Sequence, residues 1–326
     1  MSESVSPAEA WQPAATLATA QRRAGMLASA REYFAQQNIL EVDSPILSRA
    51  AVSDPNIESV SAQLQIDLSR DYFLQTSPEF SMKRLLCAGY PDIYEICKVF
   101  RDGESGKRHQ PEFTMVEWYR RDFGLQEIID DTVAFVAALV DPVVLNAPPS
   151  VFSYQDAFMH FTGVDPLHDG LQDLMRSTDC DAQLQASLGT HRDGWLDLIL
   201  TQKVAPGFAR DRLTVVSHYP ASQAALARLT PDNPVVADRF EVFLGDLELA
   251  NGYVELTDAR EQRARCARDQ ELRRISGRRL RLLDETFLAA LDAGMPACAG
   301  VAVGFDRLLM INSGTDDIRN VQSFTF

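Results

Sequence analysis

The chain has 326 residues, 46% of them hydrophobic, which is the composition of a soluble globular protein with a sizeable core. Its formal charge is −15, with 31 Lys and Arg against 46 Asp and Glu, and that excludes a broad phosphate-backbone surface, which needs many neutralising cations. The five cysteines are scattered, odd in number and without CxxC spacing, which excludes a disulfide framework or a cysteine metal site and points to reduced thiols in a cytoplasm.

Residues 1–15 are small, polar and Pro-containing and read as a loose arm, with no basic start and apolar core of a signal peptide. Residues 16–326 read as one domain, with no repeat, linker or apolar run that would span a membrane. Leu17, Met26, Leu27, Ala30 and Phe34 keep helical spacing over about 18–37. NILEVDSP gives a short strand stopped by Pro45, and 48–70 is irregular or edge structure. YFLQTSPEFSMKRLL is a strand entering a helix, with Ser77 as N-cap and Pro78 at the first helical position.

IYEICKVF and FTMVEWYRR are strands flanking a polar loop that carries Arg101, Lys107, Arg108 and His109. Alternation puts Phe113, Met115, Glu117 and Tyr119 on one face, and Phe113 to Tyr119 spans roughly 20 Å at about 3.3 Å per residue, near the length of a nucleotide with an amino acid attached. An ordinary basic hairpin tip over an aromatic core fits that stretch equally well. LQEIIDDTVAFVAALV is a helix ending before Asp141 and Pro142, and about 150–205 is a helical insertion containing WLDLILTQKV.

In RFEVFLGDLELANGYVEL a turn at Gly245 and Asp246 places Phe243 opposite Glu248 and Glu241 diagonally from it. Two carboxylates on one face suit Mg²⁺ bound together with phosphates, or simply a solvated surface. A bulge at Asn251 and Gly252 is expected to bring Glu255 to the same side as Glu248. The Arg-rich run AREQRARCARDQELRRISGRRLR is a helix whose arginines, Arg273 and Arg274 among them, form a solvated face or a docking surface. AGVAVGFDRLLMI is a strand that turns at Gly304 into a helix bearing Arg307. Strands before and after the insertion, without βαβ alternation, give an α+β class with an antiparallel sheet flanked by helices.

Taken together, FRD…RHQPEFTMVEWY, ELANGYVELTD and GVAVGFDRL resemble the second and third signature motifs of class II aminoacyl-tRNA synthetases, specifically the lysyl-tRNA synthetase catalytic domain, from about residue 20 to the C-terminus. NILEVDSP is similar to the first motif, at the dimer interface in that family. The anticodon-reading OB domain of those synthetases has no counterpart here, and YPASQAALARL stands where they have Ser-Pro-Leu-Ala. Both features resemble the family of truncated paralogues that ligate (R)-β-lysine to elongation factor P.

That resemblance implies ATP as co-substrate, Mg²⁺, (R)-β-lysine or lysine as the activated amino acid, elongation factor P as acceptor, a homodimer, and no anticodon or membrane binding. It implies that Arg101 binds the α-phosphate, that His109 and Arg307 lie near the terminal phosphates, and that Phe113 stacks on adenine with Gln110 at its edge. Asp102, Gly103, Leu249 and Gly304 would line the nucleotide, and Glu241 and Glu248 would hold Mg²⁺. Ser77, Pro78, Glu79, Tyr119, Asn251, Glu255 and Ala302 would form the amino-acid site, with Glu79 taking the amine nearer the carboxylate, and Glu255 and Tyr119 the terminal ammonium. Ala302 stands where lysyl-tRNA synthetases have Gly. The loop departs from the family pattern Arg-x-Glu, because Gly103 follows Asp102 and Gln110 replaces Asn; either Glu104 makes the missing contact or adenine is held more loosely. A stand-alone tRNA-charging enzyme and a catalytically dead regulatory paralogue remain the alternatives.

Overall fold

The computed structural model describes residues 11–325; of the expected arm, residues 1–10 lie outside this range. The end of the arm that is described is tied down, since the Ala14 and Ala15 amides donate to the Ser323 and Gln322 carbonyls. Helix α1 (Leu17–Gln36) begins where the Thr16 hydroxyl accepts from the Thr19 amide at 3.1 Å. Strand β1 (Leu40–Glu41) is followed by β2 (Leu47–Ser48), β3 (Ser61–Leu64) and β4 (Asp67–Leu74). The stretch expected to be irregular or edge structure contributes to a small antiparallel sheet, β2-β4-β3, in which β3 is an edge strand.

Helix α2 (Glu79–Cys87) starts one residue later than expected. Pro78 has ψ near 0° and precedes the first helical residue, so its place in the first turn is corrected, while the Ser77 hydroxyl still accepts from the Glu79 amide at 3.0 Å. Strands β5 (Ile93–Phe100) and β6 (Glu112–Arg121) form the expected antiparallel hairpin, and α3 (Leu125–Leu139) ends where expected. The insertion comprises β7 (Ser150–Ser153), α4 (Tyr154–Thr162), α5 (Leu171–Arg176), α6 (Ala182–Leu188) and α7 (Arg192–Ile199). It has its own core, in which Tyr154, Phe158, Trp195 and Ile199 pack with sheet residues Val216, Tyr219 and Phe243.

The remaining elements are β8 (Leu213–Pro220), β9 (Leu229–Thr230), β10 (Asn233–Leu244), β11 (Leu247–Val254), α8 (Ala259–Ile275), α9 (Glu285–Gly294), β12 (Cys298–Gly304) and α10 (Phe305–Ser313). The main sheet runs β1-β5-β6-β12-β11-β10-β8-β7, with β9 on β10; only the β1–β5 and β7–β8 pairs are parallel. Alternation splits its two faces. Val116, Trp118, Val301, Val303, Phe240 and Val242 bury one face under α1, α3 and α10. The other face carries the polar residues of the site.

The bulge that aligns Glu255 with Glu248 lies elsewhere than expected. Phe243 pairs with Glu248 and Val242 with Ala250, so the extra residue is Leu249 and not the Asn251-Gly252 pair. Gly252 is needed for close approach instead: a Cβ there would meet the Gly300 carbonyl at 2.7 Å and the Phe240 ring at the same distance.

Helix α8 presents the expected solvated face through Arg260, Arg263, Arg268 and Arg274, but two of its arginines turn inward. Arg265 donates to the Ala225 and Ala227 carbonyls, and Arg273, wholly buried, donates to the carbonyls of Ser53, Asp54 and Ile57 and pairs with Glu58. Short arginine-anchored loops thus wall the site from two sides. Because the Ser53, Asp54 and Ile57 carbonyls lose their buried donor, Arg273→Met is expected to lower unfolding free energy by about 3 kcal/mol in a urea titration, whereas the exposed Arg274→Met should change it by less than about 0.5 kcal/mol. Among the described residues no helix is long and apolar enough to cross a membrane.

Candidate active site

A cavity of about 720 Å³ opens over the polar face of β6, β12, β11 and β10, a size suited to a small organic ligand. Its far wall consists of the loop around Asp54 and residues 221–226, the two segments held by Arg273 and Arg265.

The nucleotide end is built on the β5–β6 hairpin and the start of α10. Asp306 accepts from the Thr114 amide at 2.6 Å, which fixes α10 against β6 and so sets the position of Arg307. Arg307 donates to the Glu248 carbonyl at 2.6 Å, lies 3.4 Å from its carboxylate, and meets His109 Nε2 at 2.9 Å. Partial burial and the Arg307 charge hold the His109 imidazole below its ordinary pKa, so the ring is neutral and its Nε2 accepts. Arg101 lies over the Phe113 ring at 5.2 Å, is 3.8 Å from Glu104, and has a buried Nε with no hydrogen-bond partner. Gln110 is 2% exposed and its Oε1 likewise lacks a partner. Buried polar atoms rarely stay unpaired, and both residues line the cavity.

Glu241 and Glu248 both line the cavity, as do Leu249 and Gly304. Burial raises the Glu241 carboxyl to about 7, Arg239 at 2.6 Å opposes that rise, and the charge of Glu248 adds to it. Two mutually repelling carboxylates at the phosphate end suit a divalent cation, and a magnesium ion fits that donor chemistry. Among the described residues no group of three or more acidic, His or Cys side chains is arranged for a metal, so phosphate oxygens and water would complete its shell.

At the other end three carboxylates gather. Glu79 and Glu255 face the buried ammonium of Lys83, at 2.6 and 2.5 Å. Glu117 accepts from the Ser77 hydroxyl at 2.7 Å and from the Tyr119 hydroxyl at 2.7 Å, and the Tyr253 hydroxyl donates to Glu79 at 3.3 Å. Burial raises Glu117 to about 8 and pushes Glu255 up against the opposing charge of Lys83, with the charge of Glu79 adding to each. Gly300 forms the floor, where a Cβ would collide with the Tyr119 ring at 2.5 Å and Glu255 at 2.8 Å. Asn251 accepts from Arg239 at 3.3 Å, which leaves its amide NH₂ as a donor toward the cavity, and Ala302 lies beside it across the β11–β12 pair.

Most of the residues expected from sequence thus converge on one cavity. Three do not line its wall: Pro78 stands behind Ser77, and Asp102 and Gly103 are exposed on the turn, with Glu104 facing the cavity in their stead. The sequence reading assigned no role to Lys83, Glu117, Arg239 or Tyr253. Lys83 was visible as an i,i+4 partner of Glu79, and Glu117 and Tyr253 as alternate residues on strands already read as site-facing.

Comparison with known proteins places this geometry in context. The family model described as tRNA synthetases class II (D, K and N) matches residues 12–326. A relative named elongation factor P--(R)-beta-lysine ligase from Mannheimia succiniciproducens is 40% identical over 97% of this chain and 97% of its own. A protein of the same name from Avibacterium paragallinarum is also 40% identical, and one from Klebsiella pneumoniae 39%, each over 97% of both chains.

Proposed function

This chain belongs to the class II tRNA synthetase family of the D, K and N type and is an ATP-dependent ligase, and on that premise we propose that it activates (R)-β-lysine as an adenylate and joins it to the ε-amine of a lysine on elongation factor P. The observation that carries this reading is the division of one cavity into a cationic end with an unpaired buried donor and an unpaired buried acceptor, and an acidic end with three carboxylates. A triphosphate suits the first and a diamino acid the second. The names of the relatives support the acceptor.

The substrate carboxylate attacks the α-phosphorus of ATP, forming the mixed anhydride as the bond to pyrophosphate breaks. This nucleophile is already anionic, so the protein needs no base for the step and contributes position and charge. Arg101 meets the α-phosphate, and its unpaired Nε supplies a donor. Arg307 and His109 take the departing phosphates, and Gln110 Oε1 accepts from the amine of adenine beside Phe113. When bound between Glu241 and Glu248, Mg²⁺ would supply charge neutralisation to the phosphates. Asn251 orients the substrate carboxylate, Glu79 receives the nearer amine, and Glu255 with Tyr119 the terminal ammonium. The acceptor amine then attacks the adenylate carbonyl, an amide forms and AMP leaves.

Leu40, Ile46 and Leu47, exposed around the first motif, supply an apolar surface consistent with a homodimer, and a cytoplasmic setting agrees with five free cysteines. Amino-acid-dependent ATP–pyrophosphate exchange tests the activation step: (R)-β-lysine should drive it better than α-lysine, and no exchange with either isomer would overturn the reading. In the same assay Ala302→Gly removes a methyl beside Asn251 and is expected to shift the β-to-α preference toward α-lysine by about tenfold, the size of one methylene-scale change. An unchanged ratio would dismiss Ala302 as a determinant.

A further inference from the structure

Lys83 is 1% exposed, and its ammonium bridges the two carboxylates assigned above to the substrate's amines. It also lies 5.6 Å from the centroid of the Tyr253 ring. A lysine this buried is rarely retained without a partner, and here the partners belong to the site. Lys83 engages Glu79 through Oε1 and Glu255 through Oε2. Neither Glu255 oxygen has a hydrogen-bond partner among the described residues: Oε2 is held by the Lys83 ion pair alone, and Oε1 is buried beside the Gly300 floor with no counter-charge of its own. A pre-oriented, unsatisfied carboxylate oxygen in a closed pocket is a receptor for a cationic donor.

We propose that Lys83 is a positioning and specificity-determining residue, which ties one oxygen of Glu79 and one of Glu255 and offsets one of three carboxylates, leaving a pocket matched to a substrate with two ammonium groups. This rests on the reading that the acidic end holds the amino acid, and names the device that makes it diamine-selective. With Glu79, Glu117 and Glu255 ionised against Lys83 alone, two negative charges remain, and a diamino acid supplies two positive ones. A monoamino acid leaves one carboxylate buried without a counter-charge, which is costly in a dry site.

The groups facing this cluster come from every surrounding element. Glu79 and Cys87 share the helix with Lys83; Glu117 and Tyr119 come from β6, Tyr253 and Glu255 from β11 and the residues after it, Cys298 from β12, and Arg239, which faces Tyr253, from β10. Burial opposes the charge on Lys83, but Glu255 and Glu79 hold it protonated, above its ordinary pKa, so it serves as a fixed cation and not a base. Without substrate, burial lets Glu117, which has no ion pair among the described residues, keep a proton near neutral pH, while the Lys83 ammonium at 2.5 Å holds Glu255 ionised. An entering diamine expels the Glu117 proton.

The test is ATP–pyrophosphate exchange with the full chain and its Lys83→Met variant. Removing the cation raises the neighbouring carboxylates' pKa and frees their orientation, so KM for (R)-β-lysine is expected to rise on the order of 100-fold, with KM for ATP changed less than about threefold. The acid limb of kcat/KM for the amino acid should move to higher pH. An unchanged KM for the amino acid overturns the proposal, and so does an equal loss toward both substrates with a lowered Tm, which is the mark of a merely structural lysine. Wild-type exchange in parallel separates these outcomes from failure of the functional reading, in which the wild type itself shows none. Should Lys83→Met not fold, calorimetry on the wild type decides: binding of (R)-β-lysine near pH 7, compared in two buffers of different ionisation enthalpy, should release about one proton or more, and binding with no proton release overturns the proposal.

Discussion

Arg101→Ala is expected to lower lysine-dependent ATP–pyrophosphate exchange by about 10³-fold in kcat, with a much smaller change in KM for the amino acid, because its guanidinium acts on charge that develops at the α-phosphate. The side chain is pre-set for that task. It lies against the Phe113 ring, its Nε is buried without a partner, and Glu104 at 3.8 Å is its only ion pair among the described residues. Free guanidinium capacity in a water-poor wall is what an incoming phosphate would satisfy. Lysine retains the charge but not the fork, so Arg101→Lys should recover only part of the loss. A kcat within about threefold of wild type for Arg101→Ala would move the phosphate contact to another residue.

Glu255→Gln should act at the opposite end of the cavity and in the opposite kinetic constant. It keeps the shape of the side chain and removes the charge that faces the terminal ammonium, so kcat/KM for (R)-β-lysine is expected to fall by about 10³-fold, carried by KM, while KM for ATP stays near its wild-type value. The substitution also deprives Lys83 of one of its two ion pairs, leaving Glu79 alone. Part of the loss is therefore disorder of the pocket, and a double substitution with Lys83→Met should cost less than the sum of the two single losses, since the residues share one network. Full additivity would separate them.

The contrast between these two substitutions follows from the sheet. Alternation along β6 spaces Phe113 and Tyr119 at the two ends of one face, and the opposite face is sealed by α1, α3 and α10. This much was legible in the sequence, because period-two patterning and a tight Gly-Asp turn are local signals. The register of β10 and β11 was legible only in part: Phe243 does face Glu248, but the extra residue is Leu249. A bulge depends on which of several neighbours the opposing strand leaves unpaired, and Asn-Gly composition pointed to the wrong one. Gly252 answers to crowding by its cross-strand partner Phe240 and by the Gly300 carbonyl of β12, which is distant in sequence.

The same limit explains Lys83 and Arg273. Arg273 sits in a helix read as a solvated or docking face, and Lys83 in a helix where the sequence reading assigned it no role; each is buried because folding supplies its partners: Glu79 one turn back and Glu255 beyond β11 for Lys83, loop carbonyls for Arg273. Long charged side chains are usually assigned to solvent on composition alone, and only the assembled neighbourhood reverses that assignment. The basic hairpin loop behaved differently. Arg101, His109 and Gln110 were expected at the nucleotide and line the cavity, whereas Asp102 and Gly103 turn outward and Glu104 faces in.

The central claim is that the acidic pocket activates a diamino acid for transfer to a protein. Intact-mass measurement of purified elongation factor P, incubated with the chain, ATP, Mg²⁺ and (R)-β-lysine, tests it most directly. The expected result is a gain of one lysyl group on a single lysine side chain, dependent on ATP and absent with the Arg101→Ala chain. An unmodified acceptor in a mixture where the same enzyme preparation supports (R)-β-lysine-dependent pyrophosphate exchange would contradict it.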